Sequence, residues 1–262
     1  MMAAAQALAA APQLLGPKGS LGAFLLFCRI GGCLMLAPGF SSSLIPPQIR
    51  LFVALAATLA LTPLLIDRIP AEALGDDPVA TLKTIAVESL VGGMIGFLAR
   101  IFFAALETLI SGAAQMLGFT NPFGVEFDAG EAAAPLAALI SLAAATLLFA
   151  ADLHFELLRG LADSYDVVPV GADFNSRFAL REVADAFGES FLLALRIASP
   201  YVIYALIVNL ALGLVNRLTP QIQVFFVAAP FVAAGGLALL YFTVKPAIEA
   251  FLVGFGAWLR SG

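Results

Sequence analysis

The chain has 262 residues, 61% of them hydrophobic and only 12% charged, with a formal net charge of -5 and a mean hydropathy of +1.00. A soluble domain averages about 45–50% apolar and about 25% charged residues, so this composition excludes an ordinary water-soluble domain and calls for an integral membrane protein. The 13 Lys and Arg are scattered nearly singly with no basic cluster, which argues against nucleic acid or an anionic lipid surface as a partner.

A bilayer leaves helices or a closed barrel as spanning structures, because every backbone polar group must be satisfied internally. The apolar stretches here are long and continuous, without the period-two alternation of barrel strands. The expected class is therefore all-α, a polytopic helical membrane protein built of long helical hairpins, with residues 1–262 as one membrane domain. The first residues, MMAAAQALAAAPQLLGPKGS, carry their first positive charge at Lys18, after the apolar stretch. The n-region of a secretory signal is missing, and residues 1–18 read as a retained, partly disordered leader.

Apolar runs then follow at about residues 21–38, 48–66, 85–118, 132–151, 187–215 and 222–243, with a weak tail at 247–259. A crossing needs about 20 apolar residues, so the first two runs are marginal and the third and fifth exceed one simple crossing. Cys28 and Cys33 lie in the first run about 140° apart around a helix, which prevents their pairing and makes them small apolar fillers. Polar connections fall at 67–84, 119–131 and 152–186; the tips at 39–47 and 216–221 are short and force their flanking helices antiparallel. Residues 21–66 and 187–243 are thus two expected hairpins.

At the first tip, Pro46 and Pro47 cannot continue the preceding helix, yet Pro47 suits the first turn of the next. Gln48 and Arg50 then fall in that turn, and Arg50 sits near the positive end of the helix dipole. An acidic group or a set of carbonyls must compensate it, and a neighbouring chain is the expected source. The second tip has Asn216 and Arg217 before Pro220 and Gln221, and the two tips share the pattern P-Q-I-x-[LV]-F, a possible trace of duplicated hairpins.

Charges also occur inside the apolar runs: Arg29 in the first, Glu88, Arg100 and Glu107 in the third, Glu189 and Arg196 in the fifth. Each would cost about 2.5–3.5 kcal/mol facing lipid at mid-membrane, so they are paired, cavity-facing or outside lipid. Arg100 and Glu107, like Glu189 and Arg196, are about 10 Å apart along their helix, too far for intimate pairing within it. Pairing across helices or subunits is the economical reading. Gly92 and Gly96, in GGMIG, share a face that admits close approach of another helix.

The chemistry of catalysis is missing from the pattern. His154 is the only histidine and reads as interfacial or capping; no metal site, cofactor site, nucleophile elbow or phosphate-binding loop is supported. The loop GFTNPFGVEFDAGE, around residues 119–131, combines three Phe with three carboxylates, a composition expected to pack into a cavity.

RIGGCLMLAPGFSSSLIPPQIRLFVALAATLALTPLL (29–65) and VNRLTPQIQVFFVAAPFVAAGGLALL (215–240) resemble the FliR family, flagellar export-gate proteins related to the T subunit of virulence type III secretion systems. The resemblance extends over nearly the whole chain. It implies a non-enzymatic gate subunit in the bacterial inner membrane, at the flagellar basal body, assembled with FliP-like and FliQ-like subunits and working with FlhB- and FlhA-like proteins to pass unfolded substrates. It further implies that the loop bearing Phe119, Asn121, Pro122, Phe123 and Gly124 plugs the closed channel. The tips carrying Pro47, Gln48, Arg50, Asn216, Arg217, Pro220 and Gln221, with cations that call for partners, are expected to serve assembly. The alternatives are a T subunit of an injectisome, or a self-sufficient secondary transporter built on Glu88, Arg100 and Glu107.

Overall fold

The computed structural model describes residues 17–41, 45–70, 77–116, 135–218 and 224–261. The described residues form seven α-helices and one short 3-10 turn: α1 (Pro17–Leu36), α2 (Pro47–Leu65) with the turn Ile66–Arg68 behind it, α3 (Pro78–Met116), α4 (Pro135–Ala150), α5 (Leu153–Val167), α6 (Ser176–Leu218) and α7 (Val224–Ser261). The all-α class required by the composition is what the chain adopts. Five of these helical segments are long and apolar enough to cross a membrane: Gly19–Leu36, Pro47–Arg68, Pro78–Ala114, Ser176–Leu218 and Val227–Arg260.

Two compact units are present, each closed over its own core. One contains the described residues up to Arg100 with Asp152–Asp185; the other contains Ile101–Ala151 with Ala186–Ser261. The division falls inside the continuous helices α3 and α6.

In the first unit, α1 ends where Pro38 and the left-handed Gly39 (φ 82°) turn the chain, with the Ala37 N–H still bonded to the Cys33 carbonyl at 2.8 Å. Pro47 then opens α2 after an extended Pro46, and Pro63 is tolerated near the other end. α2 packs on α1 and buries one narrow stripe, the small residues Ala54, Thr58 and Thr62 followed by Leu65. The two buried threonine hydroxyls are satisfied by donating to the carbonyls four residues back, each at 2.7 Å. The opposite face of α2 exposes Phe52, Leu59 and Leu64, so the helix is apolar all round, as a lipid- or partner-facing helix must be.

α1 and α3 run parallel and almost touch backbone to backbone. A Cβ at Gly92 would run into the Arg29 carbonyl, one at Gly96 into the Cys33 carbonyl, and one at Gly32 would stand 2.8 Å from the Ser89 carbonyl. Only glycine allows that approach, which sets the axial register of α1 against α3.

Residues 152–186 are more structured than the polar connection expected from hydropathy. They contain α5 and the first turns of α6, whose start is capped by Asn175: its side-chain oxygen accepts from the N–H groups of Arg177 and Phe178, both at 3.2 Å. α5 is 15 residues long and only half apolar, too short and too polar to show as a hydrophobic run. Its signal was the period-four stripe Leu153, Leu157, Leu161 and Tyr165, all buried.

In the second unit, Phe102 and Phe103 of α3 meet Phe251, Phe255 and Trp258 of α7 in an aromatic core, with centroids 4.7 Å apart for Phe102–Trp258 and 4.9 Å for Phe103–Phe251. Such edge and tilted pairs each add about 0.5–1.5 kcal/mol beyond the area they bury. α4 packs on α7. α6 meets α7 through Leu193 against Gly254, Tyr201 bonded to Thr243 at 2.6 Å, and Tyr204 donating to the Val232 carbonyl at 3.0 Å. Those contacts advance along α6 and retreat along α7, which makes the pair antiparallel. The sixth run and the tail beyond it are one helix, α7, because Pro230 and Pro246 each remove one backbone donor without ending an apolar helix held by its neighbours.

Candidate functional site

The densest polar chemistry lies in the first unit, in a place hydropathy alone would assign to lipid. Arg29 and Glu88 are both 0% exposed. The Arg29 Nε donates to Glu88 Oε2 at 2.6 Å and Nη2 donates to Oε1 at 3.0 Å, a planar two-point pairing that Lys cannot reproduce. The remaining donors are used as well. Nη2 donates to the Val168 carbonyl at 2.9 Å, and Nη1 reaches both the Ser164 carbonyl and its hydroxyl at 3.3 Å.

Ser164 and Val168 stand at the C-terminus of α5, where the helix dipole is negative; the Ser164 carbonyl already accepts from the Val168 N–H at 2.9 Å, and the Val168 carbonyl lies past the last helical turn. Arg29 therefore caps α5 from a different helix. Its guanidinium carbon also lies 4.0 Å from the centroid of the Tyr165 ring, a cation–π contact. On the other side the Gly171 backbone N–H, from a residue with φ 86°, donates to the Glu88 carboxylate. One ion pair thus ties together α1, α3, the end of α5 and the strap of residues 168–175. Burial pushes the Tyr165 phenol well above its usual pKa, against the pull of the nearby Arg29 cation, and its oxygen has no hydrogen-bond partner among the described residues.

Around this cluster the surface is charged. Arg68 pairs with Asp166 at 2.9 Å and Lys83 with Asp173 at 2.5 Å, both exposed, and the Lys83 hydrogen bond holds the Asp173 carboxyl below the usual carboxylate range. α5 also exposes Arg159 and Asp163. A helix with that outer face is incompatible with hydrocarbon, so the middle of α1, which touches its C-terminus, lies at a polar depth although α1 is long and apolar enough to span.

The remaining sequence-derived residues are placed as follows. Arg100 donates to the Ser41 hydroxyl at 2.5 Å, tying α3 to the turn after α1. Arg50 Nε donates to the Ile45 carbonyl at 3.1 Å, so one compensating group comes from this chain and not from a neighbour. Pro47 and Gln48 are exposed at the start of α2, and Asn216 and Arg217 at the end of α6. Glu189 and Arg196 are exposed on α6, and Glu107 lines an open groove on α3 with Ala104, Thr108, Ser111 and Gly112. Pro220, Gln221 and the residues Phe119, Asn121, Pro122, Phe123 and Gly124 lie outside the described residues. Sequence reading missed Ser164, Tyr165, Val168 and Gly171, whose roles are carried by backbone atoms, one hydroxyl and a ring face that no spacing rule marks.

The sequence pattern of the bacterial export proteins, family 1, matches residues 21–257, from the first turns of α1 to the last turns of α7. The chain belongs to that family. Among its relatives, the flagellar biosynthetic protein FliR of Caulobacter vibrioides is 33% identical over 224 residues, spanning 83% of this chain and 86% of the relative. The FliR of Aquifex aeolicus is 34% identical over 224 residues, 82% of each chain. The Yop proteins translocation protein T of Yersinia pestis is 26% identical over 224 residues, 82% of this chain and 83% of the relative. The resemblance read from the two proline tips therefore extends through both units of this export protein. Its Arg29 cluster lies wholly inside the matched region, as do α5 and the strap.

Proposed function

We propose that this chain is a non-enzymatic core subunit of the flagellar protein export gate, forming with FliP- and FliQ-like subunits the channel for unfolded flagellar substrates. FlhA- and FlhB-like proteins are its further partners, and its place is the bacterial inner membrane at the flagellar basal body. The observation that carries the reading is the export-family match across both compact units, with FliR relatives at 33% and 34% identity over most of the chain.

Helix lengths support it. α3, α6 and α7 have 39, 43 and 38 residues. At 1.5 Å rise they reach about 57–65 Å, roughly twice the hydrocarbon thickness. Such helices, with Arg100, Arg196 and Lys245 near their middles, suit a protein assembly that extends out of the bilayer better than a lone bundle. The loop around 119–131 is the proposed plug, with Phe119, Asn121, Pro122, Phe123 and Gly124 as its sealing residues.

Two measurements test the proposal. Deleting the gene from its host abolishes flagella and export of flagellar proteins; a deletion strain that swims normally overturns the reading. The tagged chain co-expressed with the FliP and FliQ homologues of the same host purifies as one particle, and removing residues 120–130 leaves that particle assembled while the membrane leaks small ions. Unchanged permeability with an intact particle removes the plug assignment. A second reading, a T-type injectisome subunit, follows from the Yersinia relative. Restoring virulence secretion but not motility in matched complementation strains decides for it.

A further inference from the structure

We propose that α6 and α7 share a hinge at the level of Pro200 and Pro246, latched by the Tyr201–Thr243 hydrogen bond, and that the arms beyond it bend as one piece when substrate passes. The use in transport rests on the export reading above. Both helices run unbroken through these prolines. Leu193 lies against Gly254 and Tyr201 against Thr243, so in this antiparallel pair Pro200 and Pro246 stand within about one turn of each other. Each lacks the N–H that would bond the carbonyl four residues back, that of Arg196 in α6 and of Phe242 in α7. A proline softens one helix locally, and a continuous neighbour would splint it. Here the neighbour is softened at the same level.

The bonds that hold this level are side-chain bonds, which a rotation can release. The Ser199 hydroxyl donates to the Arg196 carbonyl at 2.8 Å, in place of the donor that Pro200 lacks. The Thr243 hydroxyl donates to the Leu239 carbonyl at 2.7 Å, so its oxygen accepts from Tyr201 at 2.6 Å. Tyr201 is buried, which shields that cross-helix bond from competing water and makes it a latch of some strength.

Burial changes at the same level. On one side Phe251, Phe255 and Trp258 seat α7 in the aromatic core with Phe102 and Phe103. On the other side α6 has no buried residue past Ala205, and α7 from Val227 to Ala250 has only Gly236. Few buried contacts mark the part of a fold that opens at least cost. The two arms are nonetheless tied to each other: Tyr204 donates to the Val232 carbonyl at 3.0 Å, passing over Gly235, where a Cβ would collide with the tyrosine hydroxyl. That tie lies beyond both prolines, so the arms move together.

The test uses the full-length chain in its native complex, with amide hydrogen exchange followed by mass spectrometry and export measured in the host strain. Pro200→Ala, which restores the missing donor, slows exchange by about tenfold in residues 197–204 and also in residues 243–250 of the helix it does not alter, the scale of one regained hydrogen bond. Pro246→Ala does the converse. Tyr201→Phe, which deletes the latch and keeps the ring, speeds exchange in both segments by about tenfold. The double variant Pro200→Ala with Pro246→Ala assembles at the parental level and exports more slowly. Exchange that changes only in the helix carrying the substitution, or that ignores Tyr201→Phe, overturns the shared hinge. Parental export by the assembled double variant overturns its use in transport. If no complex forms with the unmodified chain, the gate reading fails instead, and exchange in the purified chain still decides the hinge.

Discussion

Arg29→Ala separates two roles that one guanidinium combines, neutralising Glu88 and capping α5. Removing it leaves Glu88 buried without its counter-ion, at a cost of about 3–5 kcal/mol. It also takes the donor from the Val168 carbonyl, worth about 1–3 kcal/mol when buried without one, while the Ser164 carbonyl keeps its bond from the Val168 N–H at 2.9 Å. Against a total stability of about 5–15 kcal/mol the single variant should scarcely fold. The informative variant is Arg29→Met combined with Glu88→Met, which abolishes both buried charges and keeps apolar volume. Replacing a buried pair in this way is often neutral or stabilising when the pair does nothing else. Here the Val168 carbonyl stays without its donor, so the double variant should remain about 1–3 kcal/mol less stable than the parent. Thermal unfolding in detergent reads the total, and amide hydrogen exchange reads the place: protection should fall in α5 and residues 168–175 and hold in α2. A double variant with parental stability and parental α5 exchange refutes the capping argument.

Three further outcomes follow from the same geometry. Gly92→Ala drives a methyl into the Arg29 carbonyl and should cost about 1–3 kcal/mol in thermal unfolding, whereas Gly93→Ala, whose Cβ would sit 3.7 Å from a Leu36 methyl, should be tolerated. Tyr165→Phe removes a buried hydroxyl that has no partner among the described residues and should be neutral or slightly stabilising; Tyr165→Ala, which deletes the ring over Arg29, should cost about 3–5 kcal/mol by the same assay. Asp173 has its carboxyl pKa lowered from 3.8 by Lys83, so the pair's contribution is present above that value and is lost as pH falls through the lower folded value. Both partners are exposed, so Asp173→Asn should leave the unfolding midpoint at neutral pH unchanged within error and remove only a shallow loss in strong acid.

What could be read from the chain tracks how far each signal is spread along it. A largely apolar helix of about 20 residues or more announces itself by composition, and α1, α2, α3, α6 and α7 are all visible that way, as is the proline start of α2. The merging of the last two runs into α7 was not, because Lys245 and Pro246 lower the local hydropathy without breaking the helix. α5 escaped because a 15-residue helix needs only one apolar stripe, and a period-four stripe weighs little beside runs of twenty. Within the site, the requirement that Arg29 and Glu88 have partners was legible from the cost of burying charge. The identity of the other partners was not, since two are backbone carbonyls, one is a backbone N–H, one is a serine hydroxyl and one is the face of a ring.

The Arg29 cluster also limits what hydropathy can say about where a helix lies. α1 has 20 residues, a length that suits one crossing, and its composition is that of a membrane span. Yet its midpoint holds the end of a helix whose outer face carries Arg159, Asp163 and Asp166, and the nearby Lys83–Asp173 and Arg68–Asp166 pairs are open to solvent. An apolar exterior and a polar depth are compatible only where apolar faces meet protein instead of acyl chains. Phe52, Leu59 and Leu64 on the outside of α2 then require a partner's covering surface, because water there would leave a large apolar patch exposed. The hydrophobicity that first marks this chain as a membrane protein is, in its first unit, better explained by subunits than by lipid.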